Sequence, residues 1–338
     1  MNTIKSTVQN NRACPLRGRY VRGSLTVSRF TRRLRSSLQW PALRAPATSA
    51  HARLLPILLL TCLIFSGCKE KKQIQADKEP VPQSIVSLSP TATEILFAVG
   101  AGSQVAACSE LSDYPPEVKE LPSAGGFDGK TLSLERILSF APDFVYLTKG
   151  MHDHLIPELD KYNIRWYLST GESIQDVKDE IFTIAVITGH KAEGEKVIKQ
   201  LESNLNASKK IREEFENRSS PAVYWEVWNA PYMSAGSSSF INDVIKAAGG
   251  KNIFSDIETA YPSVSEESII IRQPEIILIP ASSGVTAASV KARNGWQSIP
   301  AVQNNQVYIV DDNIMTRAGP RIGECVLLLT DLFYTDNE

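Results

Sequence analysis

Glu135 and Glu267 occupy the same place in two copies of one short pattern. Ser133-Leu134-Glu135-Arg136-Ile137 precedes Pro142-Asp143-Phe144-Val145, and Ser265-Glu266-Glu267-Ser268-Ile269 precedes Pro274-Glu275-Ile276-Ile277, every equivalent pair being offset by 132 residues (265 − 133). A serine followed by a glutamate in the first turn suits a helix start, where free backbone N–H groups and the helix dipole favour negative charge. The proline then ends the helix and launches a buried strand. Two readings fit these carboxylates: they serve the helix start alone, or they expose one acidic contact per lobe and form a two-point docking surface.

A second set of residues suits ligand binding. Tyr114, Phe127, Trp225, Trp228, Tyr232 and Tyr261 fall at strand ends or in the turns beside them, where α/β sheets bind ligands. Their flat faces and polar edges fit a bulky planar organic molecule. Trp225 alternates with Val227 within a strand, so one of the two faces inward, and Trp296 belongs to the apolar face of a helix. Arg317, in the turn Arg317-Ala318-Gly319-Pro320-Arg321, suits either a ligand carboxylate or amide, or an ordinary surface salt bridge.

No catalytic constellation stands out: the chain has no phosphate loop, no His-Glu-x-x-His, no zinc-spaced cysteine pair and no Gly-x-Ser-x-Gly elbow. His152 and His154 flank Asp153, but two imidazoles without a partner cluster fall short of a metal site and read as a solvated loop or helix start. The expectation is a non-enzymatic chain without a resident metal or cofactor.

The elements that must position these residues alternate strand and helix on both sides of one helical stretch. Strands are expected at 85–88, 105–108, 144–147 and 164–168, then at 222–227, 276–279 and 307–310, with helices between them and a last helix over 322–333. The order favours mostly parallel sheets with helices on their faces. Between the two sets, Ile174, Val177, Ile181 and Ile184, then Val197, Leu201 and Leu205, repeat at helical spacing around a break at Gly189-His190. The fold class is therefore α/β, with two similar lobes joined by one long rigid helix that restricts hinge motion. The expected divisions are 84–172, the helical segment 173–219, and 220–338.

The formal net charge of −1 over 338 residues hides an asymmetry. Residues 1–67 hold ten Arg, one Lys and no acid, leaving 25 basic against 37 acidic side chains, a balance of −12, from Cys68 onward. Such an acidic chain makes a poor nucleic-acid partner. Leu54 to Phe65 is an apolar run too short to span a bilayer comfortably, and it ends in Phe65-Ser66-Gly67-Cys68. Residues 1–67 thus read as a basic extension plus a lipoprotein signal, Cys68 as the lipid site, and 68–83 as a tether. An uncleaved anchor helix is the competing reading of the run. Cys108 and Cys325, one in each half, read as separate buried thiols.

With the two lobes, the signal and the Ser-x-Glu repeat in view, the sequence resembles the substrate-binding proteins of ABC importers for cobalamin, haem and iron-siderophores, over Ser84 to Phe333. The resemblance is carried by Ile85-Val86-Ser87-Leu88-Ser89-Pro90 with Thr93-Glu94, Ser112-Asp113-Tyr114-Pro115-Pro116, Leu134-Glu135-Arg136-Ile137 with Pro142-Asp143, Ala248-Gly249-Gly250-Lys251-Asn252-Ile253, and Trp296 with Ile299-Pro300-Ala301-Val302. It implies a ligand cleft between the lobes, with Tyr114, Phe127, Trp228, Tyr232, Tyr261 and Arg317 as ligand contacts. It also implies that Glu135 and Glu267 dock onto arginines of the membrane permease, that the protein sits in the cell envelope by its lipid anchor, and that the ligand is a corrinoid, cobalamin. Leu111 and Thr148 stand where vitamin B12 binders have aromatics. The alternatives are haem or a ferric siderophore, and, from another class, an envelope metal-binding protein using His152 and His154.

Overall fold

The structure, a computed structural model, describes residues 79–126 and 132–335. The signal segment, Cys68, most of the tether and Phe127 lie outside the described residues. Among the described residues no helix is long and apolar enough to cross a membrane.

The first lobe runs β1 (Ile85–Ser87), α1 (Pro90–Ala98), β2 (Val105–Ser109), β3 (Ser123–Gly125), α2 (Leu134–Leu138), β4 (Phe144–Thr148), α3 (Ile156–Lys161) and β5 (Arg165–Ser169). In place of the one long helix expected, two helices, α4 (Ile174–Ile187) and α5 (Lys191–Glu214), follow, separated at Gly189, whose φ of +80° interrupts the helical path. The second lobe comprises β6 (Ala222–Trp225), the hairpin β7 (Trp228–Asn229) and β8 (Tyr232–Met233), α6 (Phe240–Ala247), β9 (Lys251–Asn252), α7 (Glu266–Ile271) and β10 (Ile276–Pro280). It closes with α8 (Ala287–Lys291), α9 (Pro300–Gln303), β11 (Val307–Val310), α10 (Asp312–Met315) and α11 (Ile322–Tyr334).

The first sheet has the order β3-β2-β1-β4-β5 and the second β9-β6-β10-β11, and every pairing in both is parallel. In each, the chain starts at an inner strand, winds one way, and then returns to wind the other way. That places a topological switch point between β1 and β4 and another between β6 and β10, beyond whose carboxyl ends an open α/β sheet takes its ligands.

The sequence repeat is a structural repeat. Ser133 and Ser265 both cap a short helix, accepting from Arg136 N–H (3.3 Å) and Ser268 N–H (3.2 Å). Ala141 and Gln273, again 132 residues apart, turn the chain at φ +46° and +47°. Asp143 then accepts from the backbone N–H of Gln83 (2.8 Å) and Ser84 (3.1 Å), and Glu275 from that of Ala222 (2.7 Å). The acid after each proline therefore fastens the returning strand to the strand that opened its lobe.

Alternation along the strands sorts the core into three regions. Val86, Val145 and Leu147 meet Ile137 of α2 and Leu159 of α3 on the outer face of the first lobe. Tyr224, Ile277 and Ile279 meet Ile269 of α7 and Val290 of α8 on the outer face of the second. The opposite faces, with Ile85, Tyr146, Val223 and Leu278, share one continuous core with Ile181 of α4, Leu201 of α5 and Leu329 of α11. The 24-residue α5 is about 36 Å long at 1.5 Å per residue. Asp243 of α6 accepts from Ile174 N–H at the start of α4 (2.8 Å), so the helical segment is tied to the second lobe at both ends. Moving one lobe against the other means shearing this shared core, which close packing resists.

Several local features differ from the sequence reading. The strand expected over 222–227 stops at Trp225, which is fully buried, and Val227 lies beyond it. The helix expected near Trp296 ends earlier, at Lys291, and Gly295, at φ +80°, leads instead into a 3₁₀ turn on which Trp296 is fully buried. Cys108 and Cys325 are separate, free and buried, and burial pushes both thiols up.

Buried Glu180 on α4 accepts from the Tyr146 hydroxyl and from Ser169 Oγ (2.9 Å). Burial raises its carboxyl above the ordinary 4.5, more than the two hydroxyls lower it. A raised folded-state value stabilises the fold fully below the unfolded value, and that contribution is lost as pH rises through the folded one. Glu180→Gln, which keeps both contacts neutral, is expected to flatten the decline in urea midpoint above pH 4.5. An unchanged pH profile would assign the decline to other groups.

Candidate functional site

The two repeated glutamates are built alike. Glu135 is exposed in the first turn of α2, and its carboxylate accepts from the hydroxyl of its own cap, Ser133 (2.6 Å). That hydroxyl, and then the Glu135 backbone N–H, hold the carboxyl below its ordinary value. Glu267 is exposed in the first turn of α7, where its own backbone N–H, and then Ser265, lower it in the same way. Both side chains are thus ionised and preset by a helix start, so the cap and an exposed contact are compatible roles for one carboxylate. One turn past Glu267, Ile271 is 78% exposed, the most open large apolar side chain among the described residues.

The candidate ligand contacts fall into two groups. In the second lobe, the β7–β8 hairpin leaves the carboxyl end of β6 beside the switch point and carries Trp228, 53% exposed, and half-buried Tyr232. The segment 262–264 is laced to this hairpin by Ser234 N–H to Pro262 O (3.1 Å) and Val264 N–H to Tyr232 O (2.9 Å), which brings Tyr261, 44% exposed, alongside. Tyr232 is engaged from behind: its ring lies 5.9 Å from that of Trp296, and the Arg293 guanidinium sits 5.2 Å from its centre. Arg293 in turn forms a two-pronged ion pair with Glu226, which is 2% exposed at the end of β6.

Tyr114 and Arg317 meet instead at a seam between the lobes. Arg317 Nη1 binds Asp113 Oδ1 at 2.7 Å and its Nη2 donates to Asn313 Oδ1 at 2.8 Å, so this arginine is already paired across the lobes. Arg321 does more: Nε and Nη2 both donate to the buried Glu94 carboxylate at 2.8 Å, and its guanidinium lies 3.9 Å from the centre of the Tyr114 ring. A depression of about 440 Å³ opens here, lined by Glu94, Phe97, Tyr114, Pro115, Pro320 and Arg321. That is room for a small organic group at the seam.

Glu94 and Arg321 appear in the sequence motifs without a role, and Glu226 and Arg293 do not appear there at all. The available signal was an acid inside the apolar face of α1, flanked by Ala92, Ile95 and Leu96, since a carboxylate at such a position demands a buried cation. Leu111, 55% exposed, and half-buried Thr148 stand as non-aromatic positions at the ends of β2 and β4.

His152 corrects one expectation. It stands at a helix start but is fully buried rather than solvated, and its Nδ1 accepts from Thr148 N–H at 3.0 Å. His154 is exposed. Among the described residues no group of three His, Cys, Asp or Glu side chains is arranged to hold a metal ion.

Comparison with known proteins agrees with this architecture. The family model described as periplasmic binding protein matches residues 85–314. The chain belongs to the periplasmic binding protein family. Within it, the chain is 28% identical over 306 residues to an uncharacterized ABC transporter substrate-binding lipoprotein, YvrC, of Bacillus subtilis, covering 82% of this chain and 96% of that one. Two solved periplasmic binding proteins superpose on it. The vitamin B12 binding protein BtuF of Vibrio cholerae does so with a TM-score of 0.64 at 26% identity, covering 75% of this chain and 96% of that one. The haem-binding protein RhuT of Roseiflexus sp. RS-1 does so with a TM-score of 0.67, also at 26% identity, covering 75% and 98%.

Proposed function

We propose that this member of the periplasmic binding protein family is a membrane-anchored substrate-binding lipoprotein that captures a corrinoid, cobalamin, and delivers it to an ABC importer. The observation that carries the reading is the pair of equivalent, exposed and ionised glutamates, Glu135 and Glu267, one in each lobe. They supply two matched contacts for arginines of the permease, and Ile271 beside Glu267 adds an apolar one. The lipoprotein relative supports an anchor at Cys68, and with it a location on the envelope face of a membrane.

Ligand binding rests on stacking. Trp228 and Tyr261 from the second lobe and Tyr114 from the first present open aromatic faces, which suit a large flat macrocycle more than a small polar solute. Trp228→Ala and Tyr261→Ala are each expected to weaken cyanocobalamin binding by about tenfold or more in equilibrium titration. Wild-type affinity in both variants would remove the hairpin from the site.

Haem is the second reading, favoured by the likeness to RhuT. It requires an axial ligand, and the buried His152, with Nδ1 already occupied, is badly placed to give one. Tyr261 is the exposed candidate. A Soret shift with haemin that vanishes in Tyr261→Phe would select that reading.

A further inference from the structure

In the second lobe, the helix bearing Glu267 is held from behind by residues that also back the ligand-side hairpin. The backbone makes the first link. Met233 bridges to Ser263, and Val264 N–H donates to Tyr232 O, so β8 is stitched to the residues directly before the Ser265 cap. Side chains make the second. Fully buried Trp296 donates its Nε1–H to Glu266 Oε1 at 2.7 Å. The Trp296 ring packs against that of Tyr232, and the Arg293 guanidinium, anchored by Glu226, covers it at 4.5 Å.

Glu266 and Glu267 are therefore unlike neighbours: the first turns inward to a buried indole, the second stays exposed. The repeat sharpens the contrast. At the offset of 132 residues, Leu134 stands in the first lobe where Glu266 stands in the second, so this polar tether belongs to the second lobe alone. A hydrogen bond fixes direction as well as distance, and at the first turn of this six-residue helix it adds a directional constraint to the buried Ile269.

We propose that Glu266 is a positioning residue: through Trp296 it fixes the first turn of α7, sets where Glu267 points, and couples that placement to the Tyr232 hairpin. The inference rests on the reading of Glu267 as a permease contact.

The test compares Glu266→Ala, Glu266→Gln, Trp296→Phe and Glu267→Ala, with the cognate permease–ATPase complex in nanodiscs and cyanocobalamin as probes. Glutamine still accepts from the indole N–H. The expected result is that Glu266→Ala and Trp296→Phe each weaken permease binding about tenfold, the scale of one lost charge-assisted hydrogen bond, whereas Glu266→Gln stays within about twofold of wild type. Amide exchange at Ser268 and Ile269 should quicken in the two weakened variants and not in Glu266→Gln, with cyanocobalamin affinity lowered in Trp296→Phe, which loses the ring behind Tyr232, and unchanged in Glu266→Gln and Glu267→Ala. Wild-type permease binding in Glu266→Ala, with binding lost in Glu267→Ala, would overturn the positioning role and leave docking intact. Wild-type binding in Glu267→Ala would instead overturn the docking reading and the inference with it. If Glu266→Ala weakens binding but Glu266→Gln is equally weak, the tether is not what positions the helix and the proposal fails.

Discussion

Replacing Glu135 and Glu267 together with alanine is expected to abolish importer-dependent uptake while leaving ligand affinity at the wild-type value. Both carboxylates are exposed at the first turns of helices whose buried faces pack on their own lobes through Ile137 and Ile269. The cap serines remain in the double variant, so α2 and α7 keep Ser133 and Ser265 as N-caps. What disappears is a pair of charges that the helix starts hold ionised, below the ordinary carboxylate value of 4.5. Truncating one side of a desolvated charge pair is a large loss at an interface, and two such losses should weaken permease binding by more than about a hundredfold. Because both groups titrate low, docking should persist as pH falls to 4.5, and it should weaken only below that value. Surface plasmon resonance against the permease, paired with cyanocobalamin titration, measures both halves. Ligand affinity that falls with the double variant would place the glutamates in the ligand site instead.

The second large effect is expected at the seam between the lobes. Arg321→Ala strands the Glu94 carboxylate, whose side chain is 3% exposed, between α1 and the start of α11. Arg317, at 4.0 Å from the same carboxylate, is engaged with Asp113 and is a poor substitute. Removing one member of a buried pair costs about 3–5 kcal/mol, because the remaining charge stays buried without its partner. Urea denaturation should register that loss. The double change Glu94→Gln with Arg321→Met should recover much of it, since no charge is then left behind. Tyr114 loses the guanidinium beneath its ring in both variants, so ligand affinity should fall in both. A single variant that loses under about 1 kcal/mol would mean the pair behaves as a solvated surface bridge.

The parts of this fold that follow from periodic patterns are legible in the sequence. The Ser-x-Glu repeat foretold two capped helices and two buried strands launched after a proline, because each step depends on local rules about serine, glutamate and proline; the left-handed turns at Ala141 and Gln273 and the acids that fasten each strand show only in the structure. The break at Gly189 was visible for the same reason. Short strands were not: β3, β7, β8 and β9 span two or three residues each, too few to show alternation, and they exist because neighbouring backbone pairs with them. Of the candidate site, the exposed aromatics Tyr114, Trp228 and Tyr261 stood out by type and place. The ion pairs that back them did not, since Glu94 and Arg321 are 227 residues apart and Glu226 and Arg293 are 67 apart. Nothing in a single sequence pairs residues at such distances. Arg317 shows the same limit, for its partner Asp113 lies across the lobes. Likewise His152 is polar in type and buried in fact, because its ring closes a local turn with the Thr148 backbone.

Isothermal titration of residues 69–338 with cyanocobalamin, then with haemin and a ferric siderophore, decides whether the proposed ligand is a corrinoid. Tight one-to-one binding of cyanocobalamin is expected, weakened in Trp228→Ala and Tyr261→Ala. Absence of heat with cyanocobalamin alongside clear binding of haemin or the siderophore would contradict it.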